Sequence, residues 1–285
     1  MPSSLTVPGD EVRLAVRDWG GVGRPIVLLH GLASSSRIFD LMAPALAGRC
    51  RVVAYDQRGH GGSGKPSSGY GFDHLVSDAA AVIRALKLRR PVVCGHSWGA
   101  SVALELAVAR PRNVAGIVLI DGGFVRMRDR LDWPTARTVL APPPIAGTPV
   151  EEFRATIPTF ARGAYPVSSQ IEEIFLSLMR VDGDGRIRPR LSRANHMRIL
   201  RAMWEEDPPA LLGRSKIPTL ILAARGRSGA EDPEFARSKK LAARTVRDIG
   251  DPVRLEWMEG IHDLPLQHPA ALARRISRFV SSTPS

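Results

Sequence analysis

The sequence is poor in cysteine and has no long hydrophobic run. Cys50 and Cys94 are the only cysteines among 285 residues, too few for a disulfide framework and typical of a reducing compartment. No uninterrupted apolar run approaches the ~18 residues that cross a bilayer. The N-terminus lacks the basic region and apolar stretch of a signal peptide. We therefore expect a cytoplasmic protein without a membrane partner.

Lysine is also scarce, although the chain is strongly basic. The net charge is +12 and the isoelectric point is about 10.8, which raises nucleic acid as a partner. Only five of the 40 basic residues are lysine, and the arginines are spread along the whole chain without a run of four or more basic residues. This dispersed pattern predicts a solvated basic surface and no nucleic-acid partner. The sequence leaves the oligomeric state open.

Short apolar runs alternate with helical patterns in the first half of the chain. Runs such as IVLL, VVAY and IVLI have few polar breaks, as in strands that are covered on both faces. This alternation predicts an α/β fold with a mostly parallel, doubly wound sheet of about eight strands and helices on both faces. The strand candidates are residues 12–17, 25–30, 51–56, 91–95, 114–120, 217–224 and 253–258.

The alternation is interrupted between residues 124 and 214, where helical segments occur without a strong strand. We predict that this stretch is a helical cap, or lid, inserted after the sixth strand. Residues 1–123 and 215–285 would then form the core. Aromatic and histidine side chains of the cap are candidates for lining a pocket that binds a small-molecule substrate. These candidates are Phe124, Trp133, His196 and Trp204.

The sharpest motif is the G-x-S-x-G sequence from Gly95 to Gly99, between a buried strand and a helical pattern. A serine on such a tight turn needs small neighbours, and the turn presents its hydroxyl at a helix N-terminus, where negative charge is favoured. Ser97 is therefore the candidate nucleophile. The candidate oxyanion donors are the backbone N–H groups of Trp98, which follows the serine, and of Leu32, which follows a His-Gly pair at the end of an earlier strand.

A serine hydroxyl needs a base before it can act as a nucleophile. Of the seven histidines, His262 is the best placed, because it follows the last strand candidate in the sequence GIHDLP. A loop at that end of a strand can hold an imidazole over the serine. We therefore predict that His262 is the catalytic base.

Four segments, in this order, resemble the α/β-hydrolase fold superfamily, in particular its cap-bearing bacterial members: HGLASSSRIFD, DQRGHGGS, GHSWGA and GIHDLPLQHP. The resemblance implies a carboxylic ester hydrolase that cleaves an ester, thioester or lactone of a small, largely apolar molecule through an acyl-enzyme, without metal or cofactor. C–C bond hydrolysis, cofactor-free perhydrolase chemistry and a ligand-binding receptor remain open on the same core. Dehalogenase-like and epoxide-hydrolase-like members carry Asp where Ser97 stands, which argues against those two activities.

The acid of the triad has two candidates between the serine and the histidine, where the order of the triad in this fold places it. The commoner family position is the loop after the strand at 217–224, which contains Asp232. Asp232 precedes Pro233, however, as a helix N-cap does. Asp121 ends the strand candidate at 114–120, as the acid does in some members, and no cap role competes for it. We favour Asp121 and keep Asp232 as the alternative.

Overall fold

A mostly parallel sheet of eight strands forms the centre of the protein, which confirms the predicted fold class. The structure is a computed structural model that describes residues 1–226 and 233–284. Its strands are β1 (Ser3–Pro8), β2 (Arg13–Gly20), β3 (Pro25–Leu29), β4 (Arg51–Tyr55), β5 (Val92–His96), β6 (Gly116–Ile120), β7 (Met179–Val181), β8 (Ile187–Pro189), β9 (Thr219–Arg225) and β10 (Val253–Glu259). The sheet order is β1-β2-β4-β3-β5-β6-β9-β10, and only the pairs β1–β2 and β2–β4 are antiparallel.

Helices cover both faces of the sheet. They are α1 (Ala43–Ala47), α2 (Phe72–Ala85), α3 (Trp98–Ala109), α4 (Trp133–Val139), α5 (Val150–Phe160), α6 (Ser169–Leu176), α7 (Arg193–Glu205), α8 (Pro208–Arg214), α9 (Pro233–Ile249), α10 (Leu264–Gln267) and α11 (Pro269–Ser282). One apolar core lies between the sheet and α2, α3, α8 and α9, and a second lies under α1, α10 and α11. Within residues 1–226 and 233–284, no helix is long and apolar enough to cross a membrane.

The central strands are apolar on both faces because each face meets one of these two cores. In β3, Val27 and Leu29 belong to the first core, whereas Ile26 and Leu28 belong to the second. Side chains of a strand alternate between the two faces of the sheet. When both faces are covered, every position of the strand is buried and favours an apolar residue. This explains why the uninterrupted apolar runs of the sequence predicted these strands.

Residues 124–214, between β6 and β9, contain α4 to α8 and the hairpin of β7 and β8. The sequence pattern predicted helices here, and the hairpin was missed. Each of its strands has three residues, which is too short for an alternating pattern to register. Strand β1 was missed for a related reason, since Val7 is its only buried residue.

The parallel strands bring the candidate residues to one edge of the sheet. Ser97 directly follows β5, Asp121 directly follows β6, and His262 lies in the loop after β10. Leu32 lies in the loop after β3, the strand that pairs with β5. The carboxyl ends of parallel strands meet at the same edge, which is where α/β sheets bind their ligands.

Candidate active site

Ser97 occupies a strained turn between β5 and α3. Its φ of 55° and ψ of −121° lie outside the regions that L-residues favour. Its N–H donates to Ile120 O at 2.9 Å, which ties the turn to β6. A Cβ on Gly95 would lie 2.0 Å from Gly99 O, and one on Gly122 would lie 2.2 Å from the serine carbonyl. A Cβ on Gly99 would lie 2.2 Å from Leu29 O, so close packing of this turn requires both glycines of the G-x-S-x-G motif.

The loop after β3 packs directly against this turn, since a Cβ on Gly31 would lie 3.0 Å from the Cβ of Ser97. Nε2 of the buried His30 accepts the Gln57 N–H at 2.9 Å, so Nδ1 carries the proton and donates to Gly31 O at 2.8 Å. Burial lowers the pKa of His30, and the ring is neutral at physiological pH. These bonds hold Leu32, the next residue, in the wall of the cavity that Ser97 also lines.

Trp98 is the first residue of α3, so its backbone N–H has no acceptor within the helix. Its indole ring is fully buried and packs at 5.4 Å from the ring of His60. Burial lowers the pKa of His60 to about 3, and Nε2 of this neutral ring accepts the Ala33 N–H at 3.2 Å. The two predicted oxyanion donors thus belong to segments that buried aromatic and imidazole rings hold in place.

Asp121 and His262 are joined by a hydrogen bond of 2.7 Å between Oδ2 and Nδ1. The Asp121 side chain is fully buried, and its Oδ1 also accepts the Ala224 N–H at 2.9 Å. Burial alone would raise the pKa of Asp121, but the hydrogen bonds and charges of His262 and Lys239 lower it to about 2. Burial acts to lower the pKa of His262, yet the bond to Asp121 outweighs it and the pKa is raised. The alternative acid, Asp232, lies outside the described residues.

A buried lysine completes the surroundings of the Asp121 carboxylate. Lys239 of α9 is 1% exposed, and its Nζ lies 2.9 Å from Oδ1 and 3.1 Å from Oδ2 of Asp121. Nζ also donates to Ala224 O at 3.2 Å. Sequence reasoning missed this residue, because a lysine in an amphipathic helix is ordinarily exposed.

The loop that carries His262 is fixed by two other side chains that sequence reasoning missed. His96 Nε2 donates to His262 O at 2.9 Å, and the two rings lie 4.9 Å apart. Burial, with a smaller contribution from His262, lowers the pKa of His96 to about 4, so it is neutral at physiological pH. Gln267 accepts the Ile261 N–H at 2.8 Å and donates to Ala164 O at 3.2 Å.

A cavity of about 810 Å³ connects Ser97 and His262 to the segment between β6 and β9. Phe124 and His196, two of the four predicted pocket residues, line it. His196 is mostly buried, and its Nε2 donates to Leu140 O at 3.1 Å. Most of the remaining wall is apolar and includes Val125, Met127, Phe160, Phe175, Leu200, Met203 and Phe235.

The other two predicted pocket residues, Trp133 and Trp204, lie outside the lining of this cavity. Their rings pack against each other at 5.9 Å, and the Arg201 guanidinium lies over both, at 4.7 and 4.9 Å from their centres. The indole N–H of Trp204 donates to Leu131 O at 2.7 Å. The pair joins α4 to α7, so these contacts all lie within residues 124–214.

Glu206 is an unexpected acid in the cavity wall and is only 7% exposed. Burial raises its pKa to about 8, with Glu105 and Asp207 adding to the shift and a hydrogen bond with Ser101 opposing it. Oε1 has no hydrogen-bond partner among the described residues. Glu206 is therefore largely protonated at pH 7. In the sequence it stands in WEEDPP after a helical pattern, where acidic residues are ordinarily solvated.

The chain is similar to known hydrolases along most of its length. A family model described as the alpha/beta hydrolase family matches residues 26–275. Over 232 residues, 81% of this chain and 81% of the relative, the sequence is 29% identical to 2-(acetamidomethylene)succinate hydrolase from Mesorhizobium japonicum. Over 114 residues, 39% of this chain and 41% of the relative, it is 41% identical to non-heme chloroperoxidase from Streptomyces lividans.

Solved structures share the fold. The crystal structure of E-2-(acetamidomethylene)succinate hydrolase superposes with a TM-score of 0.80 at 23% identity, covering 99% of this chain and 100% of that one. The thioesterase domain from the curacin biosynthetic pathway superposes with a TM-score of 0.75 at 18% identity, covering 97% and 99%. At these identities the likeness shows the fold alone.

We expect Glu206→Gln to remove a pH-dependent loss of stability. The folded-state pKa of about 8 lies above that of an unfolded glutamate, so the folded chain holds a proton that the unfolded chain releases. The free energy of unfolding of the wild type should fall as the pH rises from 5 to 8. In the variant this fall should be smaller by up to about 4 kcal/mol. Urea unfolding at several pH values measures this, with the exposed neighbour substitution Glu205→Gln as control. Parallel pH curves for wild type and Glu206→Gln would contradict the assignment.

Proposed function

Because the chain belongs to the alpha/beta hydrolase family and is a hydrolase, we propose that Ser97, His262 and Asp121 are its catalytic nucleophile, base and acid. The observation that carries this proposal is the bond between His262 Nδ1 and the buried Asp121 carboxylate, at a cavity that both Ser97 and His262 line. The bond requires a proton on Nδ1, so a neutral His262 has its Nε2 lone pair available as a base.

In the first half of the reaction, Nε2 of His262 takes the proton from the Ser97 hydroxyl as Oγ attacks the carbonyl carbon of the substrate. The N–H groups of Leu32 and Trp98 stabilise the oxyanion that forms. His262 then gives its proton to the leaving group, and an acyl group remains on Ser97. Asp121 stabilises the charged imidazolium without taking its proton.

In the second half, His262 takes a proton from water as the water attacks the acyl-enzyme, and then returns a proton to Ser97 Oγ as the acid product leaves. The atoms balance with water as the only other reactant. The protein contributes the side chains of Ser97, His262 and Asp121 and the backbone N–H groups of Leu32 and Trp98 to these steps.

We propose an ester, thioester or lactone of a small, largely apolar molecule as the substrate. Support comes from the apolar side chains of the cavity wall, which stand beside charged groups such as Arg130, Arg162 and Asp263. Residues 124–214 act as the cap in this proposal, since Phe124, Leu200 and Met203 of that segment face the same cavity as Ser97. The shape of this wall would then select the acyl group.

Perhydrolase chemistry is the second candidate, favoured by the similarity to a non-heme chloroperoxidase over part of the chain. The acyl-enzyme would be attacked by hydrogen peroxide in place of water, and the product would be a peracid with the serine released. The first half of the reaction is the same in both cases. Comparing water and peroxide as acyl acceptors for one ester distinguishes them.

We expect a fluorophosphonate probe to add one adduct per chain, located on Ser97. Ser97→Ala should abolish labelling, because no other serine stands on the strained turn next to the base. Ser101→Ala is the matched control, since Ser101 lines the same cavity one helical turn further on, and it should keep its labelling. Peptide mapping by mass spectrometry locates the adduct. An adduct on another residue in active protein would contradict the assignment of the nucleophile.

We expect Asp121→Asn to lower turnover by several powers of ten while the fold is retained. Lys239 Nζ and the Ala224 N–H both meet Oδ1 and need an acceptor there, so the amide oxygen of Asn would take that position and its NH₂ would face His262. That arrangement favours the wrong imidazole tautomer. Hydrolysis of a short acyl ester measures the loss.

Asp232→Asn tests the alternative acid in the same assay. Asn is nearly as good a helix N-cap as Asp, so this variant should keep its turnover and lose well under ~1 kcal/mol of stability. An inactive Asp232→Asn beside an active Asp121→Asn would transfer the role of the acid to the later loop.

A further inference from the structure

Lys239 has an unusual position for a lysine, because a buried helix residue brings its ammonium group to the carboxylate of the proposed triad. It contacts both oxygens of Asp121, while His262 contacts Oδ2 and the Ala224 N–H contacts Oδ1. Nothing in the reaction steps proposed above uses Lys239. Its burial next to a catalytic group therefore calls for a role of its own.

Lys239 does not act on the substrate directly. It is not among the described residues that line the cavity, and its Nζ lies on the side of the carboxylate that faces α9 and the end of β9. The Phe235 ring lies 4.7 Å from Nζ. A group in this position can influence His262 through the Asp121 carboxylate that both contact.

The contacts give Lys239 two effects on Asp121. Its positive charge offsets the cost of burying a carboxylate, which reaches several kcal/mol for an ion without a partner. Its donation to both oxygens fixes the plane of the carboxylate, so that Oδ2 stays in line with His262 Nδ1. Lys239 and His262 both donate to Oδ2, so the lysine also reduces the negative charge that His262 experiences.

The proton affinity of His262 reflects all the charged or titratable groups that face it. In the described part of the chain these groups are Asp121 at the end of β6, Asp263 in the same loop, Lys239 on α9 and His96 at the end of β5. The two aspartates favour the protonated imidazole and Lys239 disfavours it, whereas the neutral His96 ring adds no charge. The Tyr165 hydroxyl donates to Asp263 Oδ2 at 3.3 Å and adds no charge near the His262 ring.

We propose that Lys239 is a positioning residue, which fixes the Asp121 carboxylate and weakens the hold of His262 on its proton. The inference rests on the proposed function, because it assumes that His262 is the base. A base must be neutral to accept a proton, so weakening this hold extends activity to lower pH. Without Lys239, a stronger Asp121–His262 pair would keep the imidazole charged over a wider pH range.

The test measures the rate of Ser97 labelling by a fluorophosphonate as a function of pH, which needs no knowledge of the substrate. The wild-type rate should fall below an acid midpoint that reports the protonation of His262. Lys239→Met should raise this midpoint by about one unit, the size expected for one neighbouring charge. Lys239→Arg keeps the charge and should stay near the wild-type midpoint. Lys240→Met removes the charge of an exposed neighbour and should leave the midpoint unchanged.

The outcomes separate the two proposals. An unchanged midpoint in a Lys239→Met variant that still labels on Ser97 overturns the role of Lys239 and leaves the proposed function intact. Absence of labelling on Ser97 in the wild type overturns the proposed function itself. Circular dichroism confirms that each variant is folded.

A second measurement on the unmodified Lys239 covers the case in which Lys239→Met fails to fold. In ¹⁵N NMR of the Ser97→Ala protein, the Nζ signal of Lys239 should shift with the same midpoint as the His262 ring, because both groups bond to one carboxylate oxygen. A Lys239 signal that stays constant while His262 titrates overturns the inference.

Discussion

The burial of one carboxylate organises the site at the edge of this sheet. Asp121 joins four parts of the chain: it directly follows β6, accepts the Ala224 N–H of β9, and bonds to Lys239 of α9 and to His262 after β10. A buried carboxylate without such partners would cost several kcal/mol. The loop of His262 and the helix of Lys239 are therefore held to the sheet by the same interaction that makes the imidazole a base in the proposed mechanism.

Close packing imposes the second constraint. Ser97 has a strained backbone, and the turn around it has no space for side chains at Gly95 or Gly122. The backbone at the serine is thus fixed before any ligand binds, as electrostatic stabilisation of an oxyanion requires. Much of the cavity wall comes from the segment between β6 and β9, which includes Phe124, Leu200 and Met203.

The sequence was sufficient for the central strands of the sheet and for the elements that carry the candidate residues. Apolar runs predicted the strands because the central strands have a core on each face, and the G-x-S-x-G motif was informative because its glycines are sterically required. The assignments of Ser97, His262 and Asp121 to catalytic roles remain predictions until the variants are measured.

Other features could not be predicted from the sequence, and the physical reasons can be identified. Lys239 and Glu206 belong to residue types that are ordinarily solvated, and only tertiary packing buries them. Trp133 and Trp204 were plausible pocket residues by type, yet their rings pack on each other and on Arg201. Which face of a helix in residues 124–214 meets the cavity is set by how these helices pack on one another, and that packing is a tertiary property.

In the proposed mechanism, hydrolysis passes through an acyl group on Ser97. Partitioning of this acyl group between two acceptors tests the mechanism most directly. Esters with one acyl group and different leaving groups, such as p-nitrophenyl and phenyl esters, would be hydrolysed in the presence of methanol. The leaving group has departed before methanol or water attacks a common acyl-enzyme. The ratio of methyl ester to free acid should therefore be the same for both substrates. A ratio that depends on the leaving group would contradict the acyl-enzyme, and with it the proposed role of Ser97.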